Sequence, residues 1–320
     1  MDVFLGVDVG SVSTKVILMD AVTGSIIDAV YIRTQGRPIA AIKDALRKVQ
    51  CSGLAFNVVG VGTTGSAREL AGIIVGADVV KNEITAHAVA AMHIVPGVKT
   101  IIEIGGQDSK LIIIRDGVVI DFAMNTVCAA GTGSFLDQQA ARLNIPIENF
   151  GSEALTSMAS VRVAGRCAVF AESDMIHKQQ AGYPLSDILN GLCQALVRNY
   201  LNNVGKGKNI LSPVVFQGGV AANLAMKRSF EEALGYDVVV PKYYGVMGAI
   251  GAALLAKEAV GEDDKTCFHG FDLVNANYQT GSFECQGCPN FCEIVETKQA
   301  ERVLSRCGDR CGKWSNSFSE

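Results

Sequence analysis

Positive charge is not in excess here: 28 Lys and Arg stand against 32 Asp and Glu, a formal net charge of −4. Without a basic footprint the chain gives no ground for nucleic-acid binding. A P-loop is missing too, since no GxxxxGK[ST] string occurs. No basic stretch precedes the first apolar run. Val3-Phe4-Leu5-Gly6-Val7 reads as a buried strand, not as a secretory leader or membrane span. These absences lead to the expectation of a cytoplasmic protein without a membrane segment. What the chain has in quantity is apolar residues (49%), glycine (34) and cysteine (10). At 320 residues this profile suits an α/β protein of two domains, each with its own core. Ten cysteines in a reducing compartment point to metal binding, redox chemistry or burial, and away from disulfides.

An internal repeat organises the first 258 residues. Residues 6–19 read GVDVGSVSTKVILM and residues 101–114 read IIEIGGQDSKLIII. A shift of 95 positions superposes Asp8 on Glu103, Gly10 on Gly105, Ser13 on Asp108 and Lys15 on Lys110. Each copy predicts a β-hairpin with a polar, glycine-containing turn. The duplication implies two similar α/β lobes, residues 1–97 and 98–258, facing one another across a cleft. Helical spacing is expected over 39–50, from Cys128 to about Leu143, from Cys167 to about Gln180, over 186–203, near 221–233 and over 245–257. Short strands are expected at 57–62 and 213–217. Residues 259–320 turn polar and cysteine-rich and form a small extension.

Glycine turns let backbone N–H groups approach phosphate oxygens with no Cβ in the way. Ser11, Ser13 and Thr14 add hydroxyls, and Lys15 adds a cation. Carboxylates at Asp8 and Glu103 beside phosphates imply Mg2+ or a water held for attack. Gln217-Gly218-Gly219-Val220-Ala221-Ala222-Asn223 is a strand–turn–helix able to lie flat against adenine and ribose. Any one of these is usually just a turn; all three in this order point to a nucleotide.

Cys128 and Cys167 each stand at the start of a predicted helix and are followed by small residues. A helix N-terminus presents free N–H groups and a partial positive charge, which favour a thiolate. Two cysteines do not complete a four-thiolate iron–sulfur site, whereas two copies of the chain related by a two-fold axis do. Two structural cysteines in the core are the alternative. Arg166 can balance an anionic cluster or pair with a carboxylate. Glu172 and Asp174 read as solvated or interface charges. His87 and His93 suit a helix surface or a satisfied core, and His177 can tune an interface. Cys193 reads as core; Cys51 and Cys267 look incidental.

The strings GVDVGSVSTK, IGGQDSK, NTVCAAGTGSFL, GRCAVFAESD and QGGVAAN together resemble the actin, sugar-kinase and heat-shock-chaperone ATPase superfamily. Within it they resemble the BadF/BadG/BcrA/BcrD-type ATPases that activate 2-hydroxyacyl-CoA dehydratases, with relatives among benzoyl-CoA reductases and reductases of double-cubane cluster proteins. The resemblance implies two actin-like, ribonuclease-H-like lobes. It implies ATP or ADP held by Gly10, Ser11, Ser13, Thr14, Lys15, Gly105, Gly106, Gln107, Asp108, Gly131, Thr132, Gly133, Gly218, Gly219 and Asn223. Asp8, Glu103 and Gln107 are the catalytic candidates, with Mg2+ at Asp8. Glu103 departs from the superfamily, which usually carries Asp there. Cys128 and Cys167 would share one [4Fe–4S] cluster across a homodimer. Electrons would come from a ferredoxin or flavodoxin and pass to a partner iron–sulfur reductase or dehydratase.

The extension carries Cys285-x2-Cys288-x3-Cys292 and Cys307-x3-Cys311. Four of these five suit Zn2+ or a second iron–sulfur cluster, and an unmetallated thiol tail is the alternative. Two other functions fit the same fold: a small-molecule kinase with a carboxylate base, and a regulator sensing redox state through Cys128 and Cys167.

Overall fold

The computed structural model describes residues 1–50, 53, 55–159, 161–261 and 264–315, so Cys51 lies outside the described residues. The first sheet holds β1 (Asp2–Val9), β2 (Ser13–Asp20), β3 (Ile26–Arg33), β4 (Asn57–Thr64) and β5 (Val79–Val80), in the order β3-β2-β1-β4-β5. The second holds β6 (Thr100–Ile104), β7 (Ser109–Arg115), β8 (Val118–Asn125), β9 (Val214–Gln217) and β10 (Val238–Val239), in the order β8-β7-β6-β9-β10. Both orders are the same when each sheet is counted from its own first strand. In both, the first two strands pair antiparallel and the first pairs parallel with the fourth. The repeat therefore marks a duplicated sheet.

The chain divides into two compact units. One comprises Met1–Gly10, Thr14–Lys81 and the chain from Ala252 on. Its β1 is buried at every position after Asp2, as expected of a strand flanked on both edges and covered on both faces. Helix Pro38–Gln50 lays Ile42, Leu46 and Val49 against this sheet. Each such apolar side chain contributes about 1.5–3 kcal/mol when removed from water. Leu273 and Val274 join the same core, and Phe271 stacks edge-on with Phe56 at 5.5 Å. The start of the predicted extension is thus part of this core, because it supplies the apolar residues.

The other unit comprises Ser11–Ser13 and Asn82–Gly251. Helix Glu83–Ile94 belongs to it, although the sequence placed a boundary after residue 97. Glu83 bonds to Lys110, His87 to Gln217, and Gly251 lies against the Ala86 carbonyl. Helix Leu185–Asn203 runs through the centre of this core, with Tyr200 donating its hydroxyl to the Lys110 carbonyl at 2.7 Å.

The remaining sheet, in the order β11-β12-β13, comprises β11 (Tyr278–Glu284), β12 (Glu293–Gln299) and β13 (Arg302–Cys307). The sequence marked this segment only as part of a small polar, cysteine-rich extension. Its strands are short and polar on most positions, so no apolar alternation announces them.

Candidate nucleotide and cysteine sites

In the first hairpin Asp8 stands directly opposite Lys15, with Oδ2 and Nζ 3.1 Å apart. In the second Glu103 stands directly opposite Lys110, again at 3.1 Å. The repeated acid–glycine–lysine string is thus a repeated cross-strand ion pair. Lys110 also reaches Asp108 at 2.9 Å and Glu83 at 2.7 Å. Burial works against its charge. The carboxylates of Glu103, Glu83 and Asp108 outweigh burial and hold the ammonium above the ordinary lysine range. Three carboxylates around one ammonium leave this group negative.

A glycine closes over each carboxylate. Gly65 follows β4 with φ +99°, and a Cβ on it would strike the Val9 carbonyl and lie 2.7 Å from Asp8 Oδ1. Gly218 follows β9 with φ +90°, and its Cβ would strike the Ile104 carbonyl and lie 2.8 Å from Glu103 Oε1. No side chain fits either place.

The other predicted nucleotide residues separate into open and engaged groups. Gly10 and Ser11 form the β1–β2 turn, and Thr34 donates to the Gly10 carbonyl at 2.9 Å. Ser13 and Thr14 are buried, with Thr14 bonded to Thr34 at 3.0 Å. Gln107 is exposed at the tip of the β6–β7 turn. Gly105 and Gly106 present their carbonyls to the N–H groups of Gly133 and Ser134, at 2.8 Å each. Gly131 and Thr132 are buried beside them. Asn223 caps helix Leu224–Leu234, accepting from Ala225 and Met226 at 3.0 and 3.1 Å. Gly219 opens the 3-10 turn before that helix.

Cys167 is the N-cap of helix Ala168–Gln180, as the sequence predicted. Cys128 instead caps a 3-10 turn, Ala129–Gly131, and the α-helix begins only at Gly133. The physical reason is Asn125: its amide accepts from Cys128 N–H at 2.9 Å and donates to the Cys128 carbonyl at 2.8 Å, holding a tight loop. Both thiols are partly exposed. Cys128 Sγ lies 3.8 Å from the Arg166 carbonyl, so the two cysteine segments meet. Asn199 joins them, donating to Cys128 Sγ at 3.5 Å and to the Gly165 carbonyl at 2.5 Å. Sequence reading missed Asn125, Asn199 and Glu83. Only Asn125, three residues before Cys128, left a local signal.

Of the remaining residues weighed, His87 is a satisfied core residue, 2.9 Å from Gln217, while His93 and His177 are exposed. Glu172 pairs with Arg142 at 2.8 Å, and Asp174 accepts from Ala164 N–H at 2.8 Å. Burial pushes the Cys193 thiol up to about 12, consistent with a core residue. Cys267 is exposed, and its N–H donates to Asp78 at 2.7 Å. Among the described residues no three cysteine, histidine or carboxylate side chains form a group ready to hold a metal ion. Nor is any helix among them long and apolar enough to cross a membrane.

Residues 5–256 match the profile of the BadF/BadG/BcrA/BcrD ATPase family. The chain belongs to that family. Its relatives include the (R)-2-hydroxyglutaryl-CoA dehydratase activating ATPase of Acidaminococcus fermentans, 36% identical over 79% of this chain and 96% of that protein. The activator of the 2-hydroxyisocaproyl-CoA dehydratase from Clostridium difficile, solved with bound ADPNP, superposes with a TM-score of 0.74 at 31% identity. That match covers 80% of this chain and 95% of that one. A ROK family glucokinase from Streptomyces griseus shares the fold at TM-score 0.50 and 14% identity, covering 80% of this chain and 99% of that one. The family match stops before the cysteine-rich sheet.

Proposed function

We propose that this member of the family is an ATP-dependent one-electron donor of the archerase type. Cys128 and Cys167 of two copies would hold one [4Fe–4S] cluster in a homodimer. The observation that carries the reading is the meeting of two segments, each carrying a partly exposed cysteine that caps a helix or 3-10 turn, joined by Asn199, in a chain whose relatives activate dehydratases. The donor set fits the group: one chain offers two thiols where four are needed. Val127, Val169 and Phe170 flank the cysteines with 94%, 67% and 66% exposure, apolar surface that a second copy would cover. When bound, the cluster supplies a low-potential electron.

Lys15, now 3.1 Å from Asp8, would turn its ammonium to the phosphate oxygens of a bound nucleotide, and Asp8 would then be the residue to hold Mg2+. Glu103 and Gln107 position the attacking water. Hydrolysis would alter the solvation or docking of the cysteine segments, so that a cluster held there would supply its electron to a 2-hydroxyacyl-CoA dehydratase or double-cubane cluster protein. A cytoplasmic ferredoxin or flavodoxin restores it.

The deciding experiment is anaerobic purification, with iron, acid-labile sulfide and the EPR spectrum of the reduced protein measured for wild type and Cys128→Ser. About four irons and four sulfides per two chains, lost in the variant, are expected. Protein that hydrolyses ATP yet holds neither would overturn the reading in favour of a kinase or redox-sensing regulator.

A further inference from the structure

The five cysteines of the last sheet stand at one end of it. Cys285 lies one residue past β11 and Cys292 one before β12, and the ladder continues through them: Cys285 N–H donates to the Cys292 carbonyl at 2.8 Å. Directly opposed residues share a face, so these two thiols point the same way. Cys288 lies on the loop between them. Gly287 N–H points at Cys285 Sγ at 3.4 Å, as in the knuckles that C-x2-C pairs form around metals.

The other arm is folded onto the same face. Phe283, two residues before Cys285 and so on its side of the strand, meets the Trp314 ring edge-on at 5.1 Å. Arg306 stacks over both rings, at 6.0 and 5.1 Å from their centroids. Asp309 accepts from Trp314 and Ser315 N–H at 2.8 and 3.3 Å, closing the turn that carries Cys311. With Arg306 on this face, the next residue in the strand, Cys307, faces away from it.

We propose that Cys285, Cys288, Cys292 and Cys311 form a tetrathiolate site for one divalent metal ion, Zn2+ by preference, and that Cys307 is not a ligand. Cys285 and Cys292 are the fixed pair. Cys288 and Cys311 are exposed on the adjoining loops; the four thiols are not gathered beforehand among the described residues, and these two would close onto the pair as the ion binds. The assignment also accounts for how a small, polar, three-stranded sheet holds together, since a structural metal would tie the β11–β12 loop to the segment that follows β13 at the same end. The site is separate from Cys128 and Cys167, and the proposal does not depend on the electron-donor reading.

The test uses the whole chain. Metal content is measured for wild type and for Cys285→Ser, Cys288→Ser, Cys292→Ser, Cys311→Ser and Cys307→Ser. Trp314 is the only tryptophan, so its emission reports on this sheet alone. One zinc per chain is expected, retained by Cys307→Ser and lost by the other four. Chelation should shift Trp314 emission, added Zn2+ should restore it, and Co2+ should give thiolate-to-metal charge-transfer absorption. Cys288→Ser changes only an exposed position, so zinc loss there with unchanged far-UV dichroism separates ligation from misfolding. Zinc loss in Cys307→Ser equal to that in Cys285→Ser would overturn the face assignment. Absence of both zinc and a Co2+–thiolate band would overturn the site. Iron with acid-labile sulfide that is lost in Cys285→Ser would overturn the single-ion assignment.

Discussion

Lys110 stands directly across the hairpin from Glu103; its side chain is 2% exposed and its ammonium lies 3.1 Å from that carboxylate. It serves Asp108 and Glu83 as well, so one cation neutralises part of a group of three anions. Removing it takes the ammonium away from the buried Glu103 and from the half-buried Glu83 and Asp108. Lys110→Met is expected to cost about 3–5 kcal/mol in a urea titration, the range for breaking a buried ion pair from one side. Lys15→Met should cost less, because its side chain is more exposed, at 15%, and solvent screens its pair with Asp8. Adding Glu103→Gln to Lys110→Met should recover part of the loss, and a double variant no more stable than Lys110→Met would refute the pairing as its source.

Gly65 and Gly218 occupy equivalent places in the two sheets, each with positive φ and each pressed against a backbone carbonyl and the neighbouring acid. Alanine at either position adds φ strain and a clash with backbone that cannot swing away. Each substitution should lower stability by about 2 kcal/mol or more and depress ATPase activity. Gly24→Ala, at a positive-φ turn with nothing within 4 Å, isolates the strain contribution and should cost about 1 kcal/mol. Equal losses at all three would remove the steric argument.

The duplication was legible because the two hairpins repeat at a fixed offset, so Asp8, Lys15, Glu103 and Lys110 align by eye. The pairing of Gly65 with Gly218 was not legible. The segment from Gly133 to Asn203, which carries the cysteine helix, intervenes in the second copy and breaks the offset. Asn199 escaped for a related reason: it lies 71 residues from Cys128, in a helix whose pattern announces only core. Cys167 as a helix cap was visible in its local string, whereas the 3-10 turn after Cys128 depends on the Asn125 side chain. The last sheet was hidden because its order comes from backbone pairing and Trp314 rather than from apolar alternation.

Asn199 tests whether the cysteine segments are held in place for a purpose. Asn199→Leu keeps the volume but leaves the Gly165 carbonyl without its donor, which costs about 1–3 kcal/mol. If the proposed cluster is held here, the fold should persist in this variant while iron per chain falls and oxygen bleaches the remainder faster. Asn199→Gln or Asn199→Ser, restoring a donor, should recover part of the iron. Unchanged iron content in Asn199→Leu would show that Cys128 needs no positioning from this helix.

Asp187 makes stability depend on pH in a definite direction. Its carboxylate accepts from the Ser157 hydroxyl at 2.8 Å and from Met158 and Ala159 N–H at 3.0 and 3.1 Å, and these bonds hold its pKa below the usual value despite desolvation. A folded-state pKa lower than the unfolded one stabilises the chain above the unfolded value and loses that stabilisation as pH falls through the folded one. Asp187→Asn should therefore be less stable than wild type at pH 7, with the gap narrowing once the pH drops below the ordinary aspartate range. Thermal unfolding midpoints of the two proteins from pH 7 to pH 3 measure it. A gap that stays constant over that range would mean the Asp187 contacts act through shape alone, without the charge.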